Sequence, residues 1–288
     1  MIDEIRNKKL FLFDMDGTIY KGNKLFSGTK ELLQQITKMG GKYIFITNNS
    51  SKSIYDYIKK INDMGIEADY DNFYTSTQAT IEFLKNKYPN KLIYCVGTEG
   101  FVNELKNNDI NVTITYDKNV DVVLIGFDTE LNYQKLRDVC KILFEKNNIP
   151  YIATNPDLAC PLENGYIPDC GAIAKMIECA TRRTPIFIGK PEPTMINYSI
   201  KKFDYLKDET VVIGDRLYTD IASGLNAEVS TICVLTGEAT IEEIQKSKIK
   251  PTFVLNSVKD IYDILKRINV TMKKMFSEIH KNSEMRKN

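Results

Sequence analysis

Histidine is almost missing from this chain. His280 is the only one, and it lies in the basic stretch that ends the sequence. Ser-His-Asp and Cys-His catalysis need an imidazole at a core site, and a multi-histidine metal centre needs several. Both are excluded. The six cysteines (Cys95, Cys140, Cys160, Cys170, Cys179 and Cys233) include no C-x-x-C pair. Zinc and dithiol redox sites want close pairing, so reduced, mostly buried thiols are expected. No apolar run approaches the ~18 residues of a transmembrane helix. The charged opening MIDEIRNKK lacks an apolar signal core, so the cytoplasm is the expected location. A net charge of +1 gives no reason to expect nucleic acid or an anionic membrane as partner. What remains for chemistry is carboxylate, lysine and a hard metal ion.

What is present is an ordinary globular balance, 43% hydrophobic and 27% charged over 288 residues. The first 65 residues alternate in type. LFLF at 10–13 reads as a buried strand, and Ser27 to Lys38 as a helix with Leu32, Leu33 and Ile36 on one face and Ser27 as N-cap. A second strand, 42–47, and a helix from Ser51 to Met64 follow, and this alternation predicts a parallel sheet with crossover helices. Further apolar runs occur at 91–96, 120–127 and 150–154. Asn155-Pro156-Asp157 and Glu163-Asn164-Gly165 between and after them are loop signals, and a short helix is expected from Gly171 to Ala180. The last third adds strands at 185–189, 210–214, 230–235 and 252–255 and a helix from Val258 to Ile268. The sequence then turns basic and sparsely apolar, and this stretch reads as a tail.

Four of the strand ends carry polar groups. Asp14 and Asp16 follow the first strand at i and i+2, a spacing that suits holding a hard divalent cation while one acid attacks an electrophile. A turn in which an aspartate caps backbone amides would use the same residues. Thr47-Asn48-Asn49-Ser50 ends the second strand, where a hydroxyl, amides and a helix start offer either an anion seat or a simple N-cap cluster. Lys190 stands just past the 185–189 strand, able to offset charge on a phosphoryl group or to sit idle on a loop. Gly214-Asp215 ends the strand at 210–214, and Asp220 follows five residues later, a pair suited to an oxygen-ligand metal site. In open α/β sheets ligands bind outside the carboxyl ends of the strands, so these groups should converge. Independent loop decoration would not be expected to yield this order.

DMDGT at 14–18, TNNS at 47–50, GKP at 189–191 and GDRLYTD at 214–220 resemble the four motifs of the haloacid dehalogenase (HAD) superfamily. More narrowly, DMDGTIY, ITNNS and GDRLYTD resemble the NagD-like, p-nitrophenylphosphatase-like phosphatases of subfamily IIA. The resemblance covers nearly the whole chain except about the last twenty residues. It implies an α/β fold, a Rossmann-like core with a parallel sheet and an inserted α/β cap of the C2 type. Residues 1–77 and 185–270 would form the core, 78–184 the cap and 271–288 the tail.

By the same resemblance Asp14 would be the nucleophile that forms an aspartyl-phosphate and Asp16 the general acid and base. Thr47 and Asn48 would bind the phosphoryl oxygens, and Lys190 would hold nucleophile and phosphoryl group. Mg2+ would be bound by Asp14, the backbone carbonyl of Asp16, Asp215 and Asp220. In the cap, Asn155, Asp157, Asp169 and Cys170 fall where this family sets specificity. Family members often carry a small residue where this chain has Asp169, whose carboxylate would repel multiply charged substrates, bond a hydroxyl or amine, or point at water. The implied function is Mg2+-dependent hydrolysis of a small phosphorylated metabolite such as a sugar phosphate, nucleotide monophosphate or phosphoglycolate. Related proteins also pair through the cap, so a homodimer is one expected assembly, although no stripe in this chain singles out an interface. A phosphomutase would use the same four motifs. A silent phospholigand-binding protein would be expected to have lost one of them, and none is broken here.

Overall fold

A computed structural model describes residues 2–162 and 165–266. The expected tail, 271–288, lies outside the described residues. At the centre is strand Leu10–Phe13, whose four residues are all buried. An uninterrupted apolar run suits a strand covered on both faces. Its neighbours are Lys42–Thr47 on one side and Thr210–Gly214 on the other, both parallel to it. The full sheet runs Phe253–Leu255, Ser230–Val234, Thr210–Gly214, Leu10–Phe13, Lys42–Thr47, Phe73–Thr75, every pair parallel. Chain order therefore reverses between Leu10–Phe13 and Thr210–Gly214. This is the switch point at which doubly wound sheets open a crevice for ligands.

A second sheet of five parallel strands lies between the two halves of the first in sequence. Its order is Ile186–Phe187, Tyr151–Ala153, Val122–Ile125, Ile93–Val96, Val112–Thr113. The strand expected at 185–189, assigned with the second core segment, is shorter and pairs here, through Ile186 with Ile152 and Phe187 with Ala153. The expected boundary at Gln78 falls inside helix Ser76–Lys87. One apolar cluster serves both sheets: Leu10, Leu12 and Ile44 of the first join Ile93, Val122, Leu124 and Ile152 of the second through Tyr74, Leu84, Met195 and Ile196. Two antiparallel hairpins complete the strands, Tyr20–Lys21 with Lys24–Leu25 and Ala159–Leu162 with Gly165–Pro168.

Two helix starts differ from expectation. Helix Thr29–Lys38 is preceded by Gly28, not capped by Ser27. Gly28 is left-handed (φ +87°), and a Cβ there would meet Lys259 Cβ at 2.8 Å, so close packing against the helix that starts at Val258, the last among the described residues, sets that entry. The next helix, Ile54–Asp63, begins three residues later than expected because Asn49 Oδ1 accepts the Ser51 N–H and hydroxyl. Ser53 then caps the helix, its side chain and Asp56 exchanging bonds with each other's backbone N–H. Among the described residues no helix is long and apolar enough to cross a membrane.

Candidate active site

Asp14, Lys190, Asp215 and Asp220 meet at the switch point. Lys190 Nζ donates to Asp14 Oδ1 at 2.6 Å and to Asp220 Oδ1 at 2.7 Å, and is 3% exposed. Asp215 accepts from the Thr18 hydroxyl at 3.3 Å and from the Glu238 N–H at 2.8 Å. Asp220 accepts the Arg216 N–H at 3.1 Å and lies in a π-helical turn, Leu217–Ile221, that leads into helix Ala222–Asn226. Such widened turns re-aim side chains at functional sites. Backbone room is made by glycine: a Cβ on Gly214 would come within 2.2 Å of Asp220 Cβ, and one on Gly17 within 2.5 Å of Asp215 Oδ2. Gly17 also has φ +86°, which favours glycine on its own account.

Asp14, Asp215 and Asp220 each bring one carboxylate oxygen within 4.8 Å of the others. Burial and the charge of Asp220 push the Asp14 carboxyl up to about 8, against the pull of Lys190. The same two causes push Asp215 up to about 6, opposed by the Glu238 N–H. For Lys190, burial favours the neutral amine, but Asp14 and Asp220 outweigh it and hold its pKa above the ordinary value. Asp14 and Asp220 thus share one ammonium, with Asp215 beside them, in a poorly solvated site. An all-oxygen donor set with excess negative charge fits a hard divalent cation.

Asp16 lines the adjoining cavity but is exposed, and its carboxylate stands outside the three-acid cluster. Only its backbone carbonyl is left to act as the expected ligand. Thr47 lines the cavity as well, its hydroxyl accepting the Asn49 N–H at 3.2 Å. Asn48 lines the cavity too, and its side chain has partners that the sequence did not suggest. Its Oδ1 accepts the Lys190 N–H and its Nδ2 donates to the Lys190 carbonyl, both at 2.8 Å, and Nδ2 also reaches Asp157 Oδ2 at 3.0 Å. Its side chain is therefore committed to holding the Lys190 loop.

The cavity, about 430 Å³, is walled by these residues and by the Ala159–Leu162/Gly165–Pro168 hairpin. Of the four cap residues singled out in the sequence, Asp157 and Asp169 line it. Asp169 caps helix Cys170–Thr181, accepting the Cys170 N–H, and burial pushes its carboxyl up to about 7. Asn155 and Cys170 do not line it. Asn155 is fully buried and donates to the Asn48 carbonyl at 2.8 Å, bracing cap to core. Cys170 is packed in the cap's apolar cluster, and burial pushes its thiol up to about 12. Lys52, Lys60, Cys160 and Arg216 line the cavity without having been singled out as site residues. Arg216 lay inside a quoted motif, whereas no local pattern marks the other three.

Comparison with known proteins agrees with this geometry. The family model described as haloacid dehalogenase-like hydrolase matches residues 11–111, and a second HAD-hydrolase-like model matches 187–261. An acid sugar phosphatase of Staphylococcus saprophyticus subsp. saprophyticus is 35% identical over 264 residues, 92% of this chain and 99% of that protein. The 4-nitrophenylphosphatase of Thermotoga maritima superposes with TM-score 0.85 at 34% identity, over 90% of this chain and 98% of that one. NagD from E. coli K-12 does so with TM-score 0.80 at 31% identity, over 88% and 97%. The chain belongs to the haloacid dehalogenase-like hydrolases, in the branch of the NagD-like and p-nitrophenylphosphatase-like phosphatases.

Proposed function

We propose that this phosphatase is a Mg2+-dependent phosphomonoesterase of small metabolites, such as a sugar phosphate, nucleotide monophosphate or phosphoglycolate, working through an aspartyl-phosphate. The observation that supports this reading most directly is Lys190 bonded at once to Asp14 and Asp220, beside Asp215, at the sheet's switch point. Mg2+ bound by Asp14, Asp215 and Asp220, with the Asp16 carbonyl, would supply the positive charge that offsets repulsion between carboxylate and phosphate.

The remaining steps belong to the chain's own groups. Lys190 fixes the Asp14 carboxylate, which attacks phosphorus as the bond to the leaving oxygen breaks, while Asp16 gives that oxygen its proton. Asp16, now a base, takes a proton from water. The water oxygen displaces Asp14 from phosphorus and releases orthophosphate. Thr47 offers a hydroxyl to the phosphoryl oxygens, and Asn48 acts by holding the Lys190 loop. Asp157 and Asp169 face the organic part of the substrate, Asp169 as an acceptor for a hydroxyl or amine. The hairpin limits water in the cavity.

Phosphate release from a panel of phosphometabolites, with Mg2+ and with chelator, tests this. Asp14→Asn removes the nucleophile and should lower kcat by about a thousandfold or more. Full activity of that variant would reject the nucleophile assignment, and undiminished activity in chelator would reject the metal.

A further inference from the structure

Besides Arg216, which pairs with Glu238 at 3.0 Å, the cavity holds two cations that the chemistry above leaves unused. Lys52, on the turn before helix Ile54–Asp63, and Lys60, on the helix itself, both line it. Among the described residues neither ammonium has a carboxylate within 4.0 Å. Lys60 is half-buried, with its Nζ 4.0 Å from the centre of the Tyr20 ring, and Tyr20 itself lines the cavity. The ring holds that ammonium by cation–π attraction. Burial favours its neutral form, as does the nearby charge of Lys52, and Asp16 opposes them. Keeping an ammonium partly out of water without an ion-pair partner is unfavourable unless a ligand supplies the missing charge.

The acids on the cap side each have one oxygen hydrogen-bonded, and neither pairs with the two lysines. Asp157 is bonded to Asn48 and Asp169 to the Cys170 N–H. The cavity therefore presents cap-side carboxylates held by hydrogen bonds, and two cations with no carboxylate within 4.0 Å among the described residues. At about 430 Å³ the space also exceeds what a phosphoryl group fills and lies within the usual range of ~300–1,000 Å³ for small-molecule pockets.

Resting on the phosphatase reading, we propose that Lys52 and Lys60 form a second anion subsite. The preferred substrates are then phosphomonoesters whose organic part carries a further negative group, a carboxylate or a second phosphate. The phosphoryl group sits at Asp14 and Lys190. The second anion lies against the two lysines, which orients the molecule in the cavity and leaves its hydroxyls for Asp169.

Two matched pairs test this: glycerol 3-phosphate against 3-phosphoglycerate for the carboxylate, and fructose 6-phosphate against fructose 1,6-bisphosphate for the phosphate. In wild type, kcat/KM should favour the more anionic member of at least one pair about tenfold, as for one charge-assisted contact. The advantage should shrink as salt is raised. In Lys52→Met/Lys60→Met the ratio should fall to near one, with the loss in KM, while Lys60→Arg should keep it. Each ratio is taken within one preparation, so it does not depend on the fraction folded. A wild-type ratio near one for both pairs, or a ratio unchanged in the double variant, overturns the subsite. If wild type releases no phosphate even from p-nitrophenyl phosphate, the phosphatase reading falls instead. Calorimetric binding of phosphonoacetate against methylphosphonate then decides the subsite. Tighter binding of phosphonoacetate by wild type but not by the double variant supports it, and equal binding by wild type overturns it.

Discussion

Asp169 shows how one side chain can serve a helix and burden the fold together. Its carboxylate caps helix Cys170–Thr181, yet burial lifts its pKa to about 7. A carboxyl with a raised folded-state pKa makes the native chain bind more protons than the unfolded one between about pH 4 and 7, so stability falls as pH rises through that window. Asn also caps helices well. Asp169→Asn should therefore raise the thermal midpoint above pH 7, and the gain should vanish by pH 4; a gain independent of pH would contradict the linkage. The sequence showed this acid inside a specificity segment, but its pattern could not tell a water-facing turn residue from a buried cap. The same holds for Cys170 and Asn155, which are buried and do not line the cavity. Side-chain direction in a loop is set by packing partners distant in sequence.

At the scale of elements, the strand ends were legible and several turns were not. Parallel-sheet strands are apolar throughout, so Leu10–Phe13 and Thr210–Gly214 announce themselves, and a polar residue at their ends breaks the pattern. The π-helical turn after Gly214 has no such signature, yet it is what turns Asp220 back onto Lys190. Gly214→Ala should push that turn away, since the added Cβ would meet Asp220 Cβ. The expected result is a loss of about 1–3 kcal/mol in stability and a fall in kcat of at least roughly tenfold, which is about 1.4 kcal/mol of lost transition-state contact. Denaturant melts and steady-state rates on the purified variant would check both. The Ala159–Leu162/Gly165–Pro168 hairpin was read only as loop signals, because its residues are mostly exposed and carry no alternation.

For the whole molecule, the dominant electrostatic fact is a cluster of three acids, two of them paired with one lysine. A divalent cation that binds only the folded chain should stabilise it, by about 2.7 kcal/mol at a hundred times its Kd. The corresponding rise in thermal midpoint is roughly 5–10 °C for a chain of this size. Asp215→Asn should lose most of that rise, and an equal rise in wild type and variant would place the metal elsewhere. The single apolar cluster that joins the two sheets gives the site a continuous foundation beneath core and cap. The pairing of Ile186–Phe187 with the five-stranded sheet was not legible for a related reason. A short apolar strand pairs with whichever sheet edge the connection delivers it to, and the edge is not written in the strand.

By itself the sequence determined the class of fold, the hydrolase family and the identity of the groups at the four strand ends. Those depend on local apolar runs, polar interruptions and residue types, all of which are properties of short segments. Tertiary structure alone decided which acids share Lys190, from positions as far as 176 residues apart. It also decided that Asn48 braces a loop and that Lys52 and Lys60 wall the cavity with no carboxylate within 4.0 Å among the described residues. These are matters of distance and burial between remote segments, and they exist only once both sheets have closed on their common core.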